Sequence, residues 1–284
     1  MLVIGLLGAS CTTGSGVTST TDTGQPVETV MPTAPTPSAS PATTPSTFDP
    51  ETPLPIEPVV RIPEGDGPFP VVVLVHGGSW VGGNTEIMDP LARFLSDEGY
   101  LTINTDYTLA GDRPGFPGAM NDVACAVRLG RTHPDGDGTV TLLGHSAGAH
   151  IAAVVALTGD GYADRCPIPG SGIPDRFVGL SGPYDISRLG LVMYPFLGGG
   201  PGVEPDAWEA ANPLHHVHAN VGLETLLLHG DQDGLVNIGF SFDFDTALND
   251  AGSESLVEIV EGANHTDTLD PTIVGGLIVT WLER

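Results

Sequence analysis

Ser146 stands at the centre of Gly144-His145-Ser146-Ala147-Gly148. A serine hydroxyl is a weak nucleophile. To attack a carbonyl carbon it needs a base within hydrogen-bond reach and an acid that orients the base. Downstream, Asp231 and Asp233 lie in His229-Gly230-Asp231-Gln232-Asp233-Gly234-Leu235-Val236, and His265 lies in Gly262-Ala263-Asn264-His265-Thr266-Asp267. The chemistry these residues suit is acyl transfer, with Ser146 as nucleophile, His265 as base and Asp233 as acid. Asp231 is the other acid available, but it begins the turn and its side chain suits capping it. Asp233, two residues further, is placed to reach His265.

Acyl transfer also needs donors for the developing oxyanion. Ala147 begins the helix after the serine, so its N–H points towards that charge. His76-Gly77-Gly78-Ser79-Trp80 supplies more. Its two glycines let backbone N–H groups approach a substrate oxygen without a side chain in the way, and either Gly77 or Gly78 serves as donor. Trp80 has two readings, lining the substrate pocket or packing beneath the loop. His76 is expected to buttress the loop, His145 to pack or hydrogen-bond inside the serine turn, and His150 to be structural. His215, His216 and His218 lack a carboxylate or cysteine at a ligand spacing. They read as surface or helix-end residues, with no metal and no organic cofactor expected.

These residues need elements to hold them. Val71 to Val75 is a continuous apolar run of strand length, as in a strand covered on both faces. Pro68 to Pro70 reads as a turn before it. Further strands are predicted at Val59–Ile62, Leu101–Asn104, Thr139–Leu143, Phe177–Leu180, Thr225–His229 and Leu256–Val260. Helices are predicted at Pro90–Glu98, Ala119–Arg131, from Ala149 onward, at Ile238–Asp250 and at Pro271–Leu282. Strands alternating with helices imply an α/β fold, a mostly parallel sheet with helices on both faces. Ligands bind such sheets beyond the carboxyl ends of the strands, and the candidate residues all follow strands. The stretch from Pro183 to Gly222 is short for a lid, with Pro195 to Gly200 expected to move. An open site of that kind favours short acyl chains.

The 284 residues carry a formal charge of −26, and all nine basic residues are arginine. Such a surface repels nucleic acid and anionic lipid, and suits either solubility or a saline habitat. Residues 12–51 are rich in Thr, Ser, Pro, Gly and Ala, and read as a disordered linker. Residues 1–11 join an apolar run to Cys11. They resemble the end of a bacterial lipoprotein signal peptide, although no basic residue precedes the run and the run is short. The resemblance implies export, with a lipid anchor at Cys11 or secretion. Cys125 and Cys166 then form an even pair in an oxidising compartment, and a disulfide between them is expected. The folded domain is predicted over 52–284.

Taken together, the HGG loop, the G-x-S-x-G turn and the chain order Ser, Asp, His resemble the α/β-hydrolase superfamily. Within it they resemble the HGG-loop carboxylesterases, a group that includes feruloyl-esterase-like and bacterial lipase-like esterases and arylformamidases. Asn104 to Leu109, Phe116 to Val123 and Gly179 to Asp185 resemble further segments of that group. The loop reads HGGSW where many relatives carry a third glycine, and the turn reads GHSAG rather than GDSAG. The resemblance implies a serine esterase acting on a small-molecule ester, short-chain or aromatic, with Ser146, Asp233 and His265 as triad and Gly77, Gly78 and Ala147 as oxyanion donors. The alternatives are an amide hydrolase on the same triad and a non-catalytic envelope-attached binding protein.

Overall fold

Five consecutive apolar side chains from Val71 to Val75 are all buried, which requires cover on both faces of their strand. In the computed structural model, which describes residues 54–284, that strand lies in the interior of a seven-stranded sheet. The strands are β1 (Val59–Arg61), β2 (Phe69–Val75), β3 (Leu101–Thr105), β4 (Gly136–His145), β5 (Arg176–Leu180), β6 (Glu224–Gly230) and β7 (Glu254–Val260), in the order β1-β3-β2-β4-β5-β6-β7. All neighbours pair in parallel except β1, which lies antiparallel on the edge beside β3. The expected leader with Cys11 and the expected linker 12–51 lie outside the described residues. Among the described residues, no helix is long and apolar enough to cross a membrane.

The longer helices are α1 (Asp89–Asp97), α2 (Gly118–Thr132), α3 (Ala147–Thr158), α6 (Gly239–Asp250) and α7 (Pro271–Leu282), with two short ones, α4 (Tyr194–Leu197) and α5 (Pro205–Ala210), in the connection after β5. Alternation along the strands sorts the core into two layers. Val71, Val73, Val75 and Leu227 face α2, α3 and α6, while Val72, Leu74, Leu226 and Leu228 face α1 and α7. Every residue of α3 from Ala147 to Leu157 is buried, so this helix is apolar all round rather than striped.

Two local expectations are corrected. Strand β2 begins at Phe69, not after a turn at Pro68 to Pro70. Phe69 pairs with Gly136, and the register shifts between Phe69 and Val71. Pro70 sits at that irregularity, where a residue without an N–H leaves no ladder bond unfilled. The segment expected to move, Pro195 to Gly200, is anchored. Phe196 is fully buried, the N–H of Gly198 closes α4 on the carbonyl of Tyr194 at 2.8 Å, and the carbonyl of Phe196 accepts from the N–H of Phe116 at 3.0 Å. Cys125 of α2 and Cys166 are joined by the expected disulfide, their Cα atoms 5.5 Å apart.

Candidate active site

Strand β4 ends at His145, helix α3 begins at Ala147, and Ser146 makes the whole turn between them with φ 53° and ψ −120°. That left-handed backbone is strained for a residue with a Cβ and persists only where the surroundings hold it. Here the Ser146 N–H donates to the carbonyl of Leu180 on β5 at 2.9 Å, and its carbonyl accepts from the N–H of His150 at 3.1 Å. The flanking glycines are there for close approach. A Cβ on Gly144 would overlap the carbonyl of Gly148, and one on Gly148 would overlap the carbonyls of Val75 and His76.

The loops after β6 and β7 bring the other two groups to this turn. His265 Nε2 lies 2.9 Å from Ser146 Oγ, and His265 Nδ1 lies 2.7 Å from Asp233 Oδ2. Since an ionised carboxylate only accepts, Nδ1 carries the proton and Nε2 is the free base facing the hydroxyl. The Asp233 side chain is wholly shielded, whereas the His265 ring keeps about a tenth of its surface exposed. Burial pushes the Asp233 carboxyl up. The N–H of Val236, the His265 ring and the N–H of Leu235 outweigh it and hold the group below its ordinary value. Asp231 behaves as a loop tie, its Oδ1 accepting the N–H of Gly262 at 2.7 Å.

The turn histidine has a definite task. His145 Nε2 donates to the carbonyl of His265 at 3.0 Å, which fastens the backbone of His265 to the residue before Ser146. Burial, with lesser opposing and assisting influences around it, lowers the His145 imidazole to about 4, so its ring stays neutral near pH 7.

The loop after β2 runs against Ser146. A Cβ on Gly77 would stand 3.1 Å from the Cβ of Ser146. Gly78, Ser79 and Trp80 follow with φ of 131°, 52° and 64°, a left-handed run that Gly78 alone accepts freely. The N–H groups of Gly77, Gly78 and Ala147 have no acceptor among the described residues. His76 buttresses the loop as expected. Its Nδ1 donates to the carbonyl of Gly77 at 2.6 Å, and its ring stacks on Tyr107 at 4.4 Å.

Trp80 packs among aromatic neighbours, its ring against those of His150 and Phe196. The residue is 4% exposed, and its indole N–H donates to His150 Nδ1 at 3.0 Å while His150 Nε2 donates to the carbonyl of Ala211 at 2.8 Å. His215 pairs with Glu209 at 2.9 Å, and His216 Nε2 donates to the carbonyl of Ala210 at 3.1 Å. Among the described residues no three His, Cys, Asp or Glu side chains converge as metal ligands would.

One contributor escaped the sequence reading. His229, on β6, is completely buried, and its Nε2 lies 3.2 Å from Asp233 Oδ2. Its spacing of four residues from Asp233 was the available signal.

A profile of the BD-FAE family matches residues 60–248. This span carries the HGG loop, Ser146 and Asp233, while His265 lies beyond it. The chain is 28% identical over 229 residues to esterase LipQ of Mycobacterium tuberculosis, covering 72% of this chain and 52% of that protein. It is 30% identical over 243 residues to the probable isoprenylcysteine alpha-carbonyl methylesterase ICMEL1 of Arabidopsis thaliana, covering 74% and 48%. The chain thus spans about half the length of these curated relatives. Among solved structures it resembles a truncated carbohydrate esterase from gut microbiota, at 19% identity and a TM-score of 0.68, over 79% of this chain and 89% of that one. It also resembles esterase 2 of Thermogutta terrifontis with propionate bound, at 21% identity and a TM-score of 0.65, over 80% and 88%. At these identities the likeness is one of fold, and the fold is that of the α/β-hydrolases. With the profile running from the edge strand through α6, over more than half of its length, the chain belongs to the BD-FAE family.

Proposed function

We propose that the protein hydrolyses carboxylic esters of small molecules, short-chain or aromatic, through an acyl-enzyme on Ser146. The observation that carries this reading is the unbroken contact Ser146–His265–Asp233, at 2.9 and 2.7 Å. Family membership and the esterase names of the curated relatives support it.

The geometry sets the order of proton movements. As Ser146 Oγ attacks the ester carbonyl carbon, its proton passes to His265 Nε2. The imidazolium so formed is stabilised by Asp233, which stays ionised. Negative charge gathers on the former carbonyl oxygen, where the N–H of Ala147 and that of Gly77 or Gly78 receive it. Collapse breaks the bond to the alcohol, which leaves with the proton from His265. Water, giving its proton to the same nitrogen, then attacks the acyl-enzyme and frees the acid and Ser146.

We also infer export to an oxidising compartment, with Cys11 as a lipid anchor if the leader is processed there. The disulfide between Cys125 and Cys166 supports this.

A panel of p-nitrophenyl esters of rising acyl length, an aromatic ester, an N-formyl aromatic amine and a peptide amide tests the activity. Turnover is expected with the esters and not the amides, and S146A is expected to lose both turnover and labelling by a fluorophosphonate. Preferential turnover of either amide overturns the ester reading. Wild-type protein that neither turns over nor labels overturns the enzyme reading altogether.

A further inference from the structure

The geometry points to His229 as a positioning residue for Asp233. Its buried imidazole is locked by Ser241, and it clamps the turn that aims the carboxylate at His265. The inference rests on the triad reading above and extends it inward by two residues.

His229 lies near the end of β6, on the sheet face that also carries Leu227, and points beneath the acid loop towards α6. Its Nε2 is 3.0 Å from the carbonyl of Val236 and 3.2 Å from Asp233 Oδ2. Both are acceptors, so Nε2 must carry the hydrogen. It is donated to the carbonyl of Val236, and Asp233 Oδ2 lies close beside it. Nδ1 is then a lone-pair acceptor. The hydroxyl of Ser241 on α6, itself fully buried, lies 2.8 Å away and must donate to it. For the neutral ring, one tautomer satisfies every contact. The charged and titratable groups facing this ring are Asp233, His265 and His145. Burial lowers the His229 imidazole from its ordinary value, in keeping with a neutral ring.

The consequence for Asp233 is mechanical. Its Oδ1 accepts the N–H groups of Leu235 and Val236, each at 2.8 Å. Those two bonds fix one carboxylate oxygen to the turn but leave the turn itself to be held. His229 holds it through the carbonyl of the same residue, Val236, and sets its ring nitrogen 3.2 Å from Oδ2. Oδ2 therefore has His265 on one side and His229 on the other. A carboxylate gripped at both oxygens keeps the base in one orientation, and a small loss of aim at a base has a large cost in rate.

Steady-state kinetics on p-nitrophenyl acetate, with melting temperatures, compare wild type, H229L, H229Q and S241A. Leucine fills the space but donates nothing, whereas glutamine can place an N–H near the Nε2 position. H229L is expected to lower kcat about tenfold or more with KM within about twofold, since alignment of the base rather than substrate binding is lost. H229Q is expected to restore most of that loss. S241A, which leaves Nδ1 without its donor and frees the ring to change tautomer, is expected to lower kcat about threefold at unchanged KM with the fold retained. A folded H229L with wild-type kcat overturns the inference, as does an H229Q that falls as far as H229L. If H229L does not fold, S241A decides, and wild-type kcat there overturns it. Wild-type protein that fails to turn over or label defeats the triad reading itself. Active wild type with indifferent variants defeats only the role of His229.

Discussion

Replacing Asp233 by asparagine is the most demanding perturbation of the site, because the structure dictates which way the new amide faces. Oδ1 accepts two backbone N–H groups, from Leu235 and Val236, both at 2.8 Å. Only the amide oxygen can take that place, so the NH2 group must occupy the position of Oδ2. There it confronts His265 Nδ1 at 2.7 Å and His229 Nε2 at 3.2 Å. Two donors cannot face each other, and His265 is driven to the tautomer with its proton on Nε2. That nitrogen then has no lone pair for the Ser146 proton. A base in the wrong tautomer costs about 10³- to 10⁴-fold in kcat, or about 4 to 5.5 kcal/mol of barrier at 1.36 kcal/mol per decade. D231N, by contrast, keeps an oxygen for the N–H of Gly262 and should stay within about threefold of wild type. The assay is hydrolysis of p-nitrophenyl acetate, with near-ultraviolet circular dichroism to confirm folding. A folded D233N within tenfold of wild type, or a D231N that loses more than D233N, would refute the reasoning.

Three further outcomes follow from buried groups and net charge. His150 has both ring nitrogens engaged, by Trp80 and by Ala211, and burial lowers it to about 4. The unfolded ring takes its proton near 6.5, so the folded state binds fewer protons between these values, and stability is lost as pH falls from about 6.5 to 4. H150Q should remove on the order of 3 kcal/mol of that dependence, read from urea unfolding at pH 7 and pH 4.5; identical pH dependence in the two proteins would reject it. Opening the disulfide releases a loop with a sequence separation of 41 residues. By the chain-entropy relation this should cost about 4 kcal/mol, measured as a fall in urea midpoint on reduction. With a formal charge of −26, self-repulsion should be screened by salt. The melting temperature should therefore rise as NaCl goes from low concentration to about 1 M, and a flat series would contradict it.

The candidate site was legible in the sequence because its parts are encoded locally. A strand, a glycine-flanked serine and a helix occupy adjacent positions, and Asp233 and His265 each follow a strand of their own. Burial on both faces of Val71–Val75 is written in five consecutive apolar residues, and the apolar α3 needs no partner to be read as buried. The pairing of Cys125 with Cys166 was legible once Cys11 was set aside with the leader-like segment. What needed the tertiary structure were contacts between residues far apart in the chain. His145 reaches the carbonyl of His265 across 120 positions, and Trp80 surrenders its N–H to His150 across 70. Neither has any periodic trace, because periodicity records which side of an element is covered and not by what. The same holds for Pro70, whose place in a strand depends on an irregular register with Gly136, and for Phe196, whose burial anchors a segment that reads as loose. His229 marks the boundary between the two kinds of information. Its distance from Asp233 in the chain was plain, but which acceptors its hydrogen would meet was decided by the packing of α6 and the acid turn around it.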